Sequence, residues 1–126
     1  MKHEELTEKI IGCAFKVYNT MGFGFLESVY EKCLQVEMQK EKLHVEFQKP
    51  IKVHYEGINV GDFCADILVE DQIIVELKSV AKLNKIHEAQ LVNYLVASGI
   101  DIGLLINFGE EKVEIKRKYR VYRKTG

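Results

Sequence analysis

The chain has 126 residues, 47% of them hydrophobic and 29% charged, with a formal net charge of −1. That length and balance predict one soluble domain over residues 1–126 with a real core. They exclude an electrostatic magnet for nucleic acid, and no apolar run approaches the ~20 residues of a membrane-spanning helix. The charged start MKHEELTEK does not read as a signal peptide. The cysteines, Cys13, Cys33 and Cys64, are odd in number and far apart, which argues against a disulfide framework or a zinc knuckle. Each sits in an apolar pattern, so buried thiols in a reducing, cytoplasmic setting are expected.

Leu6, Ile10, Ala14, Val17, Tyr18 and Met21 recur every three or four residues, the mark of an amphipathic helix from Glu4 to Thr20. Gly22 and Gly24 end it. A second helix begins at Leu26 or Glu27 and runs to Lys42, with Val29, Tyr30, Cys33, Leu34 and Met38 apolar. Glu27 lies in its first turn, where the helix dipole favours an acid. Tyr30 follows three residues later on the same face.

From Val45 the period becomes two. Val45 to Tyr55 reads as a strand interrupted at Lys49-Pro50, so it belongs at a sheet edge or carries a bulge. Glu56-Gly57 turns into Ile58 to Val69, and Glu70-Asp71-Gln72 turns into a strand beginning at Ile73. A three-residue loop opposes Val69 to Ile73, Ile67 to Val75 and Ala65 to Leu77, an all-apolar face. It also opposes Asp66 to Glu76 and Cys64 to Lys78, with Cβ atoms roughly 4.5–5.5 Å apart. A two-residue loop opposes Asp66 to Leu77 and mixes the faces, so the three-residue register is preferred.

Val80 to Lys85 is a polar connector. Lys85 to Ser98 is a third helix, with Ile86, Ala89, Val92, Leu95 and Val96 as its expected apolar face and Gly99 as its cap. Ile102 to Phe108 is a near-continuous apolar run, as in a strand buried on both faces. Gly109-Glu110-Glu111 leads into a last strand, Lys112 to Val121. Lys112 to Lys124 carries Lys112, Lys116, Arg117, Lys118, Arg120, Arg123 and Lys124 against Glu114 alone. That strip suits either phosphate binding or a charge-guarded edge strand. The order helix, helix, three strands, helix, strand, strand predicts an α/β sandwich. The helix between the third and fourth strands makes those two parallel.

Two facing carboxylates repel unless they share a proton or a divalent cation. Asp66 and Glu76 offer the hard oxygens that Mg²⁺ or Mn²⁺ prefers, and such an ion polarises a phosphoryl oxygen and activates water. Lys78, one strand step from Glu76, can stabilise developing phosphorane charge. The competing reading of a short E-x-K is a solvated ion pair. Acids embedded in strongly apolar strands favour a task or a partner. Gln90 and Tyr94 share a face of the third helix and can reach a phosphate if that face looks at the acids. His87 is an accessory candidate; His3, His44 and His54 show no ligand spacing.

A helix with Glu27, a strand with Asp66, a strand with Glu76-x-Lys78 and a helix with Gln90-x-x-x-Tyr94 resemble the PD-(D/E)XK nuclease superfamily. Gly24-x-x-Glu27-x-x-Tyr30 is similar to the signature of its prokaryotic GxxExxY family. The resemblance covers nearly the whole chain and implies a restriction-endonuclease-like αβββαβ core, a mixed sheet flanked by helices. It implies Asp66 and Glu76 as ligands of Mg²⁺ or Mn²⁺, Glu27 as the helical acid completing the site, and Lys78 as the catalytic lysine. Gln90, Tyr94 and Tyr30 are the implied substrate contacts. Ala65 stands where many members have proline. The resulting expectation is a nuclease acting on DNA ahead of RNA, with a homodimer or a larger protein partner. The alternative is a catalytically silent module that binds nucleic acid or protein on the same fold. A small-molecule enzyme built on a carboxylate dyad finds no pocket signature.

Overall fold

The structure is a computed structural model and describes residues 3–121. Helix α1 (Glu4–Met21) and helix α2 (Glu27–Lys40) precede strands β1 (Val45–Tyr55), β2 (Ile58–Val69) and β3 (Ile73–Lys78). Helix α3 (Lys85–Ser98) and strands β4 (Ile102–Phe108) and β5 (Val113–Tyr119) complete the chain. The second helix stops short of Lys42 because Lys42 takes a left-handed φ of 59° and Leu43 N–H returns to Met38 O. Among the described residues no helix is long and apolar enough to cross a membrane.

The five strands form one mixed sheet in sequence order, β1 to β5. Only β3 and β4 run parallel, the pair joined through α3. β1, with Pro50, is an edge strand as expected. The sheet has a core on each face. On one, Ile10, Ala14 and Val17 of α1 and Tyr30, Leu34 and Met38 of α2 cover Ile67, Val75, Leu77, Leu104 and Phe108. On the other, Leu91 and Leu95 of α3 cover Leu68, Ile74 and Leu105. The alternation of burial along β3, Ile73 and Val75 to one core and Ile74 to the other, is the period of two that the sequence displays.

Several expectations are corrected here. Helix α3 turns Leu91 and Leu95 inward, while Ile86 is 68% exposed and Ala89 lies on the surface. The reason is a close approach: a Cβ on Gly103 would meet Leu91 Cδ1 at 2.8 Å, so the helix seats over the one β4 residue without a side chain. Ala65 joins Leu68 and Ile74 under α3 rather than Ile67 and Val75. Cys64 is exposed, although Cys13 is buried as expected. Three members of the basic strip make side-chain contacts within the molecule, while Lys112 and Lys116 are exposed. Lys118 pairs with Glu88 and Arg120 with Asp101, both at 2.6 Å, and Arg117 Nη2 donates to Thr7 Oγ1 at 3.2 Å. Arg123 and Lys124 lie outside the described residues.

Candidate metal centre

The β2–β3 ladder follows the expected three-residue loop for three pairs, Val69 with Ile73, Leu68 with Ile74 and Ile67 with Val75, and then stops. Beyond Ile67 and Val75 the strands part, and two carboxylates stand in for the missing backbone bonds. Asp66 N–H donates to Glu76 Oε1 at 3.1 Å, and Leu77 N–H donates to Asp66 Oδ2 at 2.9 Å. Asp66 and Glu76 therefore face each other as the register argument requires, through their side chains rather than as a ladder pair. At the same level of the sheet, Gln48 of β1, between Phe47 opposite Ile67 and Lys49 opposite Ala65, has a left-handed φ of 53°.

Glu76 is only 9% exposed. Burial, then the charge of Asp66, pushes its carboxyl up to about 8; the Asp66 N–H and Lys78 oppose that shift. A carboxyl in this setting holds its proton to higher pH than a free glutamate does. The donor set is all oxygen, the chemistry that suits Mg²⁺ or Mn²⁺. Lys78 follows on the same face of β3 and is half-buried.

Asp66 opens into a cleft of about 150 Å³, lined also by Glu27, Ser28, Glu31, Gln48 and Leu77. Glu27 enters from the first turn of α2 and is exposed. Gln48 Nε2 reaches Glu31 Oε1 at 2.8 Å and Asp66 Oδ1 at 3.5 Å, bridging α2 to the dyad. Sequence reasoning missed Glu31 and Gln48. Glu31 carried a signal, since it stands four residues after Glu27 on one helix face. Gln48 carried only its place before the Lys49-Pro50 interruption.

Tyr94 lies on the α3 face turned to the acids. Its hydroxyl is raised by burial first and then by Glu76 and Asp66, and its ring stacks on Phe63 at 3.7 Å. Gln90, one turn earlier, is exposed. Tyr30 is a correction. It is wholly buried, stacked on Phe108 at 4.1 Å, and its hydroxyl donates to Gly22 O and accepts from Phe25 N–H. A side chain with no exposed surface is a strut of the α1–α2 turn, not a substrate contact. His87 is likewise occupied: its Nδ1 accepts from Asn84 N–H at 3.4 Å in the cap of α3.

A second acidic group sits at the other end of the hairpin. The potential ligand atoms of His44, Glu46 and Asp71 lie within 4.8 Å of one another, the only such trio among the described residues. His44, which shows no ligand spacing in the sequence, gains these neighbours in space from the following strand and from the β2–β3 turn. Glu27 shares the cleft with Asp66 but does not close into a comparable trio with it and Glu76. Behind Lys78 a buried polar network fixes the connector. Asn107 accepts from Val80 N–H and donates to Val80 O, both at 2.9 Å, and also donates to Glu114. Glu114 in turn accepts from Leu83 N–H at 3.0 Å.

A mixed sheet between helices, with an acidic dyad where a hairpin opens beside the end of the parallel strand, defines a restriction-endonuclease-like α/β domain. The chain belongs to the PD-(D/E)XK nuclease superfamily, whose family model matches residues 4–118. The chain is also similar to the crystal structure of SSO0001, with a TM-score of 0.57 and 14% identity. That likeness spans 97% of this chain and 61% of the other, and it shows the fold alone. No match to a curated protein was found.

Proposed function

We propose that this protein is a divalent-metal-dependent phosphodiesterase acting on DNA and that it belongs to the GxxExxY branch of its superfamily. The observation that carries this reading is the reciprocal bracing of Asp66 and Glu76 by each other's strand. In this proposal Asp66 and Glu76 hold Mg²⁺ or Mn²⁺, with Glu27 as the acid on the helical side of the cleft. The bound ion supplies Lewis-acid polarisation and an acidified water. Asp66, fixed by the Leu77 N–H, keeps one carboxylate oxygen aimed and spends no reorganisation at the moment of reaction. Glu76 releases its proton when the dyad is engaged. Lys78 sets a positive charge beside the phosphate undergoing attack. Gln90 and Tyr94 approach the substrate from α3.

The test is incubation with Mn²⁺ and single-stranded, duplex and branched DNAs, with Lys78→Ala as control. Cleavage by the wild type and none by the variant supports the proposal; no cleavage of any substrate counts against it. A silent nuclease-fold module is the second reading, and the depth of Glu76 favours it. It requires that divalent metal leave the melting temperature unchanged, whereas a metal site requires a rise that Asp66→Ala abolishes. A cytoplasmic homodimer completes the proposal, and elution as a monomer at working concentration counts against the dimer.

A further inference from the structure

Three large apolar side chains stand exposed just before Glu27, which lines the acidic cleft: Phe23, Phe25 and Leu26, the last 75% exposed. They belong to the turn between α1 and α2, and Glu27 follows at once. A slack turn would fold such side chains away from water. This one is pinned along its length. Gly22 N–H donates to Tyr18 O at 2.8 Å, Gly22 O accepts from the buried Tyr30 hydroxyl, and Phe25 N–H donates to the Tyr30 hydroxyl oxygen. Ser79 Oγ donates to Phe25 O at 2.8 Å, tying the turn to the residue after Lys78. Gly22 and Gly24, at φ of 71° and 114°, supply backbone that other residues rarely adopt. The Phe25 ring meets Tyr30 edge-on at 6.1 Å and keeps 44% of the residue in solvent. The frame thus holds an apolar rim outward, one hydrogen bond from the residue that follows the E-x-K strand.

Charge gives such a rim its use. The net charge is −1, Lys118 and Arg120 are engaged by Glu88 and Asp101, and the cleft itself carries Glu27, Glu31 and Asp66. Phosphate attraction is therefore a weak source of affinity here. A base has an apolar π-face that stacks on an aromatic side chain whatever its sequence, but in intact duplex that face is covered by its neighbours.

We propose that Phe25 and Leu26, with Phe23 beside them, form a stacking platform for an unpaired nucleobase adjacent to the phosphate at the dyad. The substrate is then single-stranded DNA or a frayed end rather than closed duplex. This rests on the phosphodiesterase reading above.

The experiment is fluorescence anisotropy with Ca²⁺ in place of Mg²⁺, comparing labelled oligothymidine with a closed duplex hairpin. Wild type, Phe25→Ala, Phe25→Tyr and Leu26→Ser are measured. The platform requires tighter binding of the single strand, about tenfold weaker binding for Phe25→Ala and Leu26→Ser, and recovery with Phe25→Tyr. Leu26→Ser guards against misfolding, because its side chain is already in water and serine is favoured at this N-cap of α2, so its melting temperature should not fall below the wild type. Equal binding of both DNAs, or single-strand binding unchanged in Phe25→Ala and Leu26→Ser, overturns the platform and leaves the phosphodiesterase reading standing. Wild type that binds neither DNA overturns both. A wild-type dimer in sedimentation that Leu26→Ser converts to monomer overturns the platform in favour of an interface between copies.

Discussion

Glu76→Gln tests the dyad most directly. The carboxyl rises from its ordinary 4.5 to about 8 in the fold, through burial and the charge of Asp66. The sign follows from proton counting. Between pH 4.5 and 8 the folded chain holds a proton that the unfolded chain has lost, so metal-free stability falls as pH rises through that window. At pH 7 the interval is 7 − 4.5, or 2.5 units, which at ~1.36 kcal/mol per unit is a penalty of at most about 3 kcal/mol. Glutamine keeps the shape and the oxygen that accepts from Asp66 N–H but cannot ionise. Without metal at pH 7 the variant should exceed the wild type by up to about 3 kcal/mol, roughly 10 °C in melting temperature for a domain of this size. At pH 4 the two should melt together. Mg²⁺ should then raise only the wild type, more at pH 8 than at pH 6, because the ion displaces the proton. Thermal melts across pH, with and without Mg²⁺, read all of this. A wild type whose metal-free stability is flat from pH 5 to 8, or a glutamine variant no more stable at pH 7, refutes the reasoning.

Four further outcomes are expected. Lys78→Ala should lower Mn²⁺-dependent DNA cleavage by about 10²-fold or more while keeping the metal-linked rise in melting temperature; loss of that rise would place Lys78 in the metal site itself. Tyr30→Phe should cost about 1–2 kcal/mol in urea denaturation, because Gly22 O and Phe25 N–H lose their shared partner. An unchanged midpoint there denies the strut. Asn107→Ala should cost about 2–4 kcal/mol and speed amide hydrogen exchange at Val80 and Leu83, whose connector it and Glu114 hold. His44→Ala should leave the Mg²⁺-linked melting shift intact; its disappearance would move the cation to His44, Glu46 and Asp71 at the far end of the hairpin.

The element order was legible because period alone separates these segments. Ile73 to Leu77 and the near-continuous run Ile102 to Phe108 are short and bounded by turn residues, which makes them strands rather than buried helices. The facing of α3 was not legible. Its sequence is apolar on more than one side, and the choice between Leu91 and Ile86 as the buried partner is made by Gly103, on a strand still to come. Cys64 misled for a related reason. It sits in the part of β2 beyond the last β2–β3 ladder pair and pairs only with β1 at Pro50, so an apolar neighbourhood in sequence is not burial in space.

At the site, charge burial did what pattern could not. The register argument placed Asp66 against Glu76 from hydrophobic matching, and the observed ladder supports it up to Ile67 and Val75. A register describes backbone pairs, however, and cannot say that the pairs end one step before the acids. The ending is what matters chemically. Had the ladder continued, both carboxylates would project from a closed sheet surface. Because it opens, each carboxylate takes an amide that the sheet has freed, and both are fixed in the gap. The left-handed turn at Gln48 bends β1 at the same level and links the gap to Glu31. Tyr30 shows the converse. Its spacing from Glu27 has a structural use, since it fixes the turn before Glu27, which lines the Asp66 cleft, and it does so from inside the core. A motif therefore marks residues that one geometry needs, and burial decides which of them meet the ligand and which hold the others in place.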